Sequence, residues 1–238
     1  MPVPQIVILV ILGLAPSLIW MSYFLKKDMH PEPKYLIAKV FLMGIIVSPL
    51  AVLFQLGFTR IGEYFAISAL TASTPMFFVW AAFVEEFVKF YSVRLVALTS
   101  SEFDEPVDAM IYMIVAGLGF AAIENILVLF RTIPDGAQAT LAVWTLRSVG
   151  ATLLHALSSS LVGYFLAMSW FFREHAKKLV FVGIVLATVF HFTFNIFLSS
   201  TDNRLTGLIY ATFLLLSMSF LVSILFDKIR ERSVIKTS

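Results

Sequence analysis

The chain has 238 residues, 60% of them hydrophobic and only 13% charged, with a formal net charge of +2. Soluble domains run near about 45–50% apolar and about 25% charged, so a water-facing globular fold is excluded, and the mean hydropathy of +0.93 makes lipid the solvent. The basic residues sit at the ends of apolar runs rather than in one patch, which argues against a nucleic-acid partner, and the lack of cysteine excludes disulfides, thiol nucleophiles and thiolate metal sites.

Apolar runs near the roughly 20 residues a spanning helix needs predict membrane helices at 3-25, 35-57, 76-98, 107-130, 147-171, 179-199 and 205-226. The alternation of a transmembrane β-barrel is absent, so the expected fold class is an all-α polytopic bundle of seven spans. The first run has no basic stretch before it and no small-residue cleavage site after it, and reads as a retained helix. Two more apolar stretches, 61-75, ending at Pro75, and 137-146, are too short to cross alone. They read as interfacial or re-entrant lead-ins; if one crosses, the count is eight.

Lysine and arginine set the orientation. With the N-terminus outside, the inner loops and tail hold ten, Lys26, Lys27, Lys34, Arg173, Lys177, Lys178, Lys228, Arg230, Arg232 and Lys236, against three outside, Arg60, Arg131 and Arg204. The C-terminus is then cytoplasmic. The inner loop at 100-108 is acidic, which the rule tolerates because Asp and Glu contribute little. No repeat or low-complexity linker divides the chain, so 1-238 reads as one membrane domain.

In chain order, the third predicted helix carries Glu85, Glu86 and Lys89, the fourth Glu124 and Asn125, the fifth Arg147 and His155, and the sixth His191 and Asn195. A charge at the bilayer centre costs about 2.5–3.5 kcal/mol on insertion scales, so such groups face the bundle interior, pair with one another and mark function. From the cytoplasmic end, Glu85 and His191 lie roughly 0.6 of the way across and Glu124 and His155 roughly 0.7, a difference of about 3–4 Å. Four groups on four helices therefore share one level, in the outer half of the bilayer.

Spacing within helices divides their roles. Glu85 to Lys89 is i,i+4 and Glu86 to Lys89 is i,i+3, so the lysine neutralises one carboxylate while the adjacent one points elsewhere. His191 and Asn195 share a face, where the amide can bond the imidazole, a ligand of its own or a substrate carbonyl. Arg147 is expected to snorkel or to pair with Glu124, and Gly117 and Gly119 to let neighbouring helices approach closely. Plainer roles exist for each: charge neutralisation for Lys89 and Arg147, interhelical hydrogen bonds for Asn125 and Asn195, and helix contact for Ser158, Ser159 and Ser160, although these lie about one turn from His155. His30 and His175 fall in loops and are expected to be solvated.

Carboxylates and imidazoles in a dry cavity form a hydrolytic set. In one arrangement a glutamate acts as general base on water, with a histidine and Asn195 at the oxyanion or the leaving amine. In the other, Glu85, Glu86, His155 and His191 hold zinc with a water in its open position. HExxH is absent, no span centre carries Asp, and no Gly-x-Ser-Gly precedes a partnering histidine, which sets aside site-2-type, presenilin-type and rhomboid-type proteolysis.

Four blocks occur in order over 85-195, about half the chain: Glu85-Glu86-Phe87-Val88-Lys89; Gly119-Phe120-Ala121-Ala122-Ile123-Glu124-Asn125; Arg147 with His155 and Gly163; and His191-Phe192-Thr193-Phe194-Asn195. Together they resemble the PrsW family of intramembrane proteases, distant relatives of the CAAX-prenyl-protease-like group. The resemblance implies a peptidase of a prokaryotic plasma membrane, with a protease core at about 76-199, that cuts a membrane-anchored protein substrate, in some bacterial relatives an anti-sigma factor. It implies Glu85, Glu86, His155 and His191 as catalytic, with Glu124, Asn125 and Asn195 in support; placement adds Lys89 and Arg147. The prenyl-protease kinship favours glutamate-activated water with no cofactor, zinc being the alternative.

Two other functions would use the same residues. A proton-coupled transporter or channel needs intramembrane Glu/His relays, but the repeats and paired interrupted helices of many transporter folds are missing. A non-catalytic scaffold would use the polar groups only to hold helices together.

Overall fold

A computed structural model describes residues 2–28, 30–72, 74–199 and 203–237. Among them the regular structure is helical: α1 (Val3–Leu25), α2 (Lys34–Tyr64), α3 (Pro75–Val96), α4 (Asp108–Thr132), α5 (Ala137–Val149), α6 (Ala151–Phe171), α7 (Ala176–Ser199) and α8 (Arg204–Thr237), with short 3-10 turns at Ser68–Leu70, Ile133–Asp135 and Arg173–His175. Thr74 caps α3 by accepting a hydrogen bond from the Phe77 N–H at 3.2 Å, and Pro75 occupies the first turn, where its missing N–H costs nothing. The α2 helix runs on to Tyr64 rather than stopping at 57, and so absorbs the front of the stretch at 61-75.

Among the described residues, six helical units are long and apolar enough to cross a membrane: α1, α2, α4, the α5–α6 pair, α7 and α8. Of the seven expected spans, α3 is the one not counted by composition. Its 22 residues give ample length, but it carries Glu85, Glu86, Lys89 and Arg94. The stretch at 137-146 forms α5, and the backbone breaks at Gly150 before α6 begins. Arg147 therefore lies in the last turn of α5, not at the start of a helix 147-171. Two tryptophans fasten α5 to α1: Trp20 Nε1 donates to the Ser148 carbonyl and Trp144 Nε1 to the Leu12 carbonyl, both at 2.8 Å.

The bundle is organised around α4, which is buried without interruption from Asp108 to Ala122. It packs against α1, α2, α3, α5 and α6; α7 bridges α6 and α3, and α8 covers α6 and α7. Such close packing needs glycine. A Cβ on Gly44 of α2 would overlap the Ala116 carbonyl, and one on Gly119 of α4 would overlap the Phe41 carbonyl. A Cβ on Gly117 would likewise meet Ser159 Oγ and the His155 carbonyl oxygen, so the α4–α6 contact that carries His155 depends on it. Gly119→Ala is expected to destabilise by about 1–3 kcal/mol, because backbone rather than a flexible side chain must yield. The readout is the unfolding midpoint in detergent; an unchanged midpoint would mean that α2 and α4 part freely.

At the opposite end of α4, polar groups tie two connections together. The buried Tyr112 hydroxyl donates to Glu32, and the Asp108 carboxylate accepts from the backbone N–H groups of Asp104 (3.1 Å) and Glu105 (2.8 Å). His30, largely exposed as expected for a loop, pairs with Glu105 at 2.6 Å. Burial pushes the carboxyls of Asp28 and Glu32 above the ordinary carboxylate range. The α1–α2 and α3–α4 connections are thus clamped at one end of the bundle, and the glutamates of α3 are held some way up from it.

Candidate active site

The four groups singled out by residue type converge at one level. Glu86 Oε1 accepts from Lys89 Nζ (2.8 Å), Ser158 Oγ (2.9 Å) and His191 Nδ1 (2.9 Å), joining α3, α6 and α7 at a single oxygen. Lys89 Nζ also lies 2.8 Å from His155 Nδ1 and 4.7 Å from the Phe120 ring centroid. His155 Nε2 is 3.0 Å from Glu124 Oε2, and the two imidazoles meet edge to face with centroids 5.1 Å apart. Glu85, the neighbour of Glu86, points elsewhere: its Oε1 accepts from Gln55 Nε2 of α2 at 3.0 Å, and its Oε2 faces His191 Nε2 at 3.6 Å. Glu86 and Lys89 are wholly buried, and Glu85, His155 and His191 nearly so.

Hydrogen-bond logic fixes the donors. An ammonium only donates, so neutral His155 accepts at Nδ1 and donates from Nε2 to Glu124. Glu86 as a carboxylate only accepts, so His191 donates from Nδ1 and turns the lone pair of Nε2 towards Glu85. Two acceptor atoms are then left open side by side, Glu85 Oε2 and His191 Nε2. Glu85 Oε2 is buried with no hydrogen-bond partner among the described residues, as is Glu86 Oε2. A buried carboxylate oxygen is costly to leave unpaired.

The supporting residues divide. Arg147 bonds Asn125 Oδ1 through Nε (2.7 Å) and Glu124 through Nη2 (3.2 Å), the expected pairing although made from α5; Asn125 in turn donates to Thr152 Oγ1 at 2.9 Å. Lys89 pairs with Glu86, the i,i+3 partner. Asn195 is half-buried and, contrary to the i,i+4 expectation, does not bond His191, whose Nδ1 is taken by Glu86 across the α3–α7 contact. Ser158 bonds a carboxylate rather than the His155 ring, so it forms no Ser/His pair. Residue type missed Gln55, an amide in an apolar stretch of α2; screening for uncharged polar residues at the same depth would have found it.

Glu85, His155 and His191 offer ligand atoms that all lie within 4.8 Å of one another, two imidazoles and a carboxylate of the kind that hold catalytic zinc. Zinc bonds of about 2.0–2.1 Å would need those atoms roughly 3.4 Å apart in a tetrahedron. Glu85 and His191 present free donor atoms. His155 does not, since Lys89 and Glu124 engage both its nitrogens. The set fits zinc by residue type but not by this arrangement.

A family model described as PrsW family intramembrane metalloprotease matches residues 32–225. The chain is similar to Protease PrsW of Oceanobacillus iheyensis, 31% identical over 190 residues that cover 78% of this chain and 80% of that one. It is 30% identical to Protease PrsW of Geobacillus kaustophilus over 181 residues (75% and 74% of the two chains) and 26% identical to that of Bacillus subtilis over 196 residues (80% and 83%). No solved structure matches the chain. The transporter alternative finds no support in these similarities.

Proposed function

The chain belongs to the PrsW family and is a membrane protease, and from that premise we propose that it hydrolyses a peptide bond of a membrane-anchored protein with water activated by Glu85. The observation that carries this reading is the open pair, Glu85 Oε2 facing His191 Nε2 at 3.6 Å with both side chains buried. A water held between them is polarised from both sides. Its oxygen attacks the carbonyl carbon, Glu85 takes the proton, and the same carboxyl returns it to the amine as the C–N bond breaks. Gln55 aims the carboxylate; Glu86, Lys89 and Ser158 hold His191 with its lone pair inward. Asn195, one turn beyond His191, is the candidate donor to the oxyanion, and His155, steadied by Glu124 and Arg147, flanks the reacting atoms. Zinc, if bound by Glu85, His155 and His191, would acidify the same water; no step here depends on it.

In this reading α3 is the seventh span, the N-terminus is outside, and the basic inner loops lie in the bacterial cytoplasm. His155 is five residues into α6, which supports a cut in the outer half of the plasma membrane. The core at 76-199 then needs α2 as well, for Gln55. A membrane-anchored regulator of the anti-sigma-factor kind is a suitable substrate.

The test is cleavage of a membrane-anchored fluorogenic peptide by purified protein in detergent, with and without chelator and zinc add-back, alongside His191→Ala. Expected is chelator-resistant cleavage lost in the variant. Cleavage abolished by chelator and restored by zinc would make the enzyme a metalloprotease, and full activity of His191→Ala would remove this site from the reaction.

A further inference from the structure

Beside the buried glutamates, α2, α3, α4 and α5 enclose a cavity of about 370 Å3. Its wall includes Gln55, which holds Glu85, and Glu124, which holds His155, so it adjoins the candidate site directly. Arg131 lies on the same wall, seven residues beyond Glu124 on one face of α4, which puts it about 10 Å further along the helix. Between them Leu127 and Val128 make the wall apolar.

The charges on this wall do not cancel. Arg147 engages Asn125 through Nε and Glu124 through Nη2, and its Nη1 has no bond among the described residues. Arg131, at the exposed end, has no acidic partner among them. One carboxylate therefore faces two guanidinium groups. A basic last turn complements the α4 dipole whatever it faces, but that role requires neither a cavity nor an excess of positive charge inside it.

Building on the protease reading, we propose that this cavity receives the substrate chain on one side of the scissile bond and that Arg131, with Arg147, binds an acidic side chain about three residues beyond the point where the chain passes Glu124. An extended chain rises about 3.3 Å per residue, so three residues cover the distance from Glu124 to Arg131. The intervening substrate side chains meet Leu127 and Val128 and are apolar or small. Specificity then rests on charge at the cavity mouth and on apolar fit next to the bond.

Peptides anchored by one membrane helix, with Glu, Gln or Lys scanned along the flank of that helix, test this in neutral-detergent micelles. Binding is measured on the Glu85→Gln protein and cleavage on the unaltered one. At one position, Glu is expected to bind roughly fivefold tighter than Gln, with Lys weakest, and the preference to appear in KM rather than kcat. Arg131→Glu should reverse the order, and Arg131→Lys keep it. Equal binding of the three peptides at every position, or an order that Arg131→Glu leaves unchanged, would overturn the proposal. So would an Arg131→Gln effect that is alike for all peptides and appears only when phosphatidylglycerol replaces phosphatidylcholine, which would make the ligand a lipid phosphate. Charge-ordered binding with no cleavage at all would keep the proposal and defeat the protease reading instead.

Discussion

Glu85→Gln is expected to lower kcat by about 10²–10⁴-fold, the range a general base supplies, while the protein still folds. Glutamine is isosteric with glutamate, and its carbonyl oxygen can still accept the Gln55 N–H, so the α2–α3 contact survives. What disappears is the basic oxygen opposite His191 Nε2. Glu86→Gln should behave differently. Its Oε1 takes bonds from Lys89, Ser158 and His191, so losing the charge loosens three helices as well as the histidine. Activity and stability should then fall together. The discriminating measurement is kcat at saturating peptide set against the unfolding midpoint of each variant. A Glu85→Gln protein with more than about a tenth of the activity would take the base role away from Glu85. Restoration of that variant by excess zinc would point to a ligand instead.

What the residues reveal on their own is depth and charge; what they conceal is who wins a given hydrogen bond. Hydropathy locates α1, α4 and α7 to within a few residues, because an apolar run of about 20 residues has few alternatives in lipid. The common level of Glu85, Glu124, His155 and His191 follows from rise per residue, and the contacts among them agree. That Lys89 pairs with one of the two adjacent glutamates was legible because the spacing is local, but both partners were open, and only the packed bundle selects Glu86. The i,i+4 pairing of Asn195 with His191 was one option the local spacing allowed and does not form; His191 Nδ1 is engaged instead by a carboxylate from another helix. Hydropathy places the break between the stretch at 137-146 and the next helix a few residues early, because composition on both sides of Gly150 is helical and apolar. In the bundle the segment up to Gly150 docks on α1 through Trp20 and Trp144. The break at Gly150 gives Arg147 to α5 and brings it onto Glu124 from the side.

Lys89→Met is expected to destabilise the protein by about 3–5 kcal/mol, the cost of leaving one member of a buried ion pair alone. The lysine is fully buried, bonds Glu86 Oε1 and His155 Nδ1 at 2.8 Å each, and sits over the Phe120 ring. Without it the Glu86 charge is shielded only by Ser158 and His191, in a part of the bundle where water does not compensate. Removing both charges is a different matter. In the Glu86→Gln, Lys89→Met double variant no buried charge is stranded, and replacing a buried pair by neutral groups is often close to neutral for stability. The double variant should therefore regain most of the unfolding free energy that Lys89→Met loses. Activity should not return with it, because His191 Nδ1 would donate to a neutral carbonyl instead of a carboxylate and hold its lone pair towards Glu85 less firmly. Stability recovered without turnover would assign this pair to positioning. Losses that simply add in the double variant would mean that Lys89 and Glu86 act independently, against the 2.8 Å contact between them.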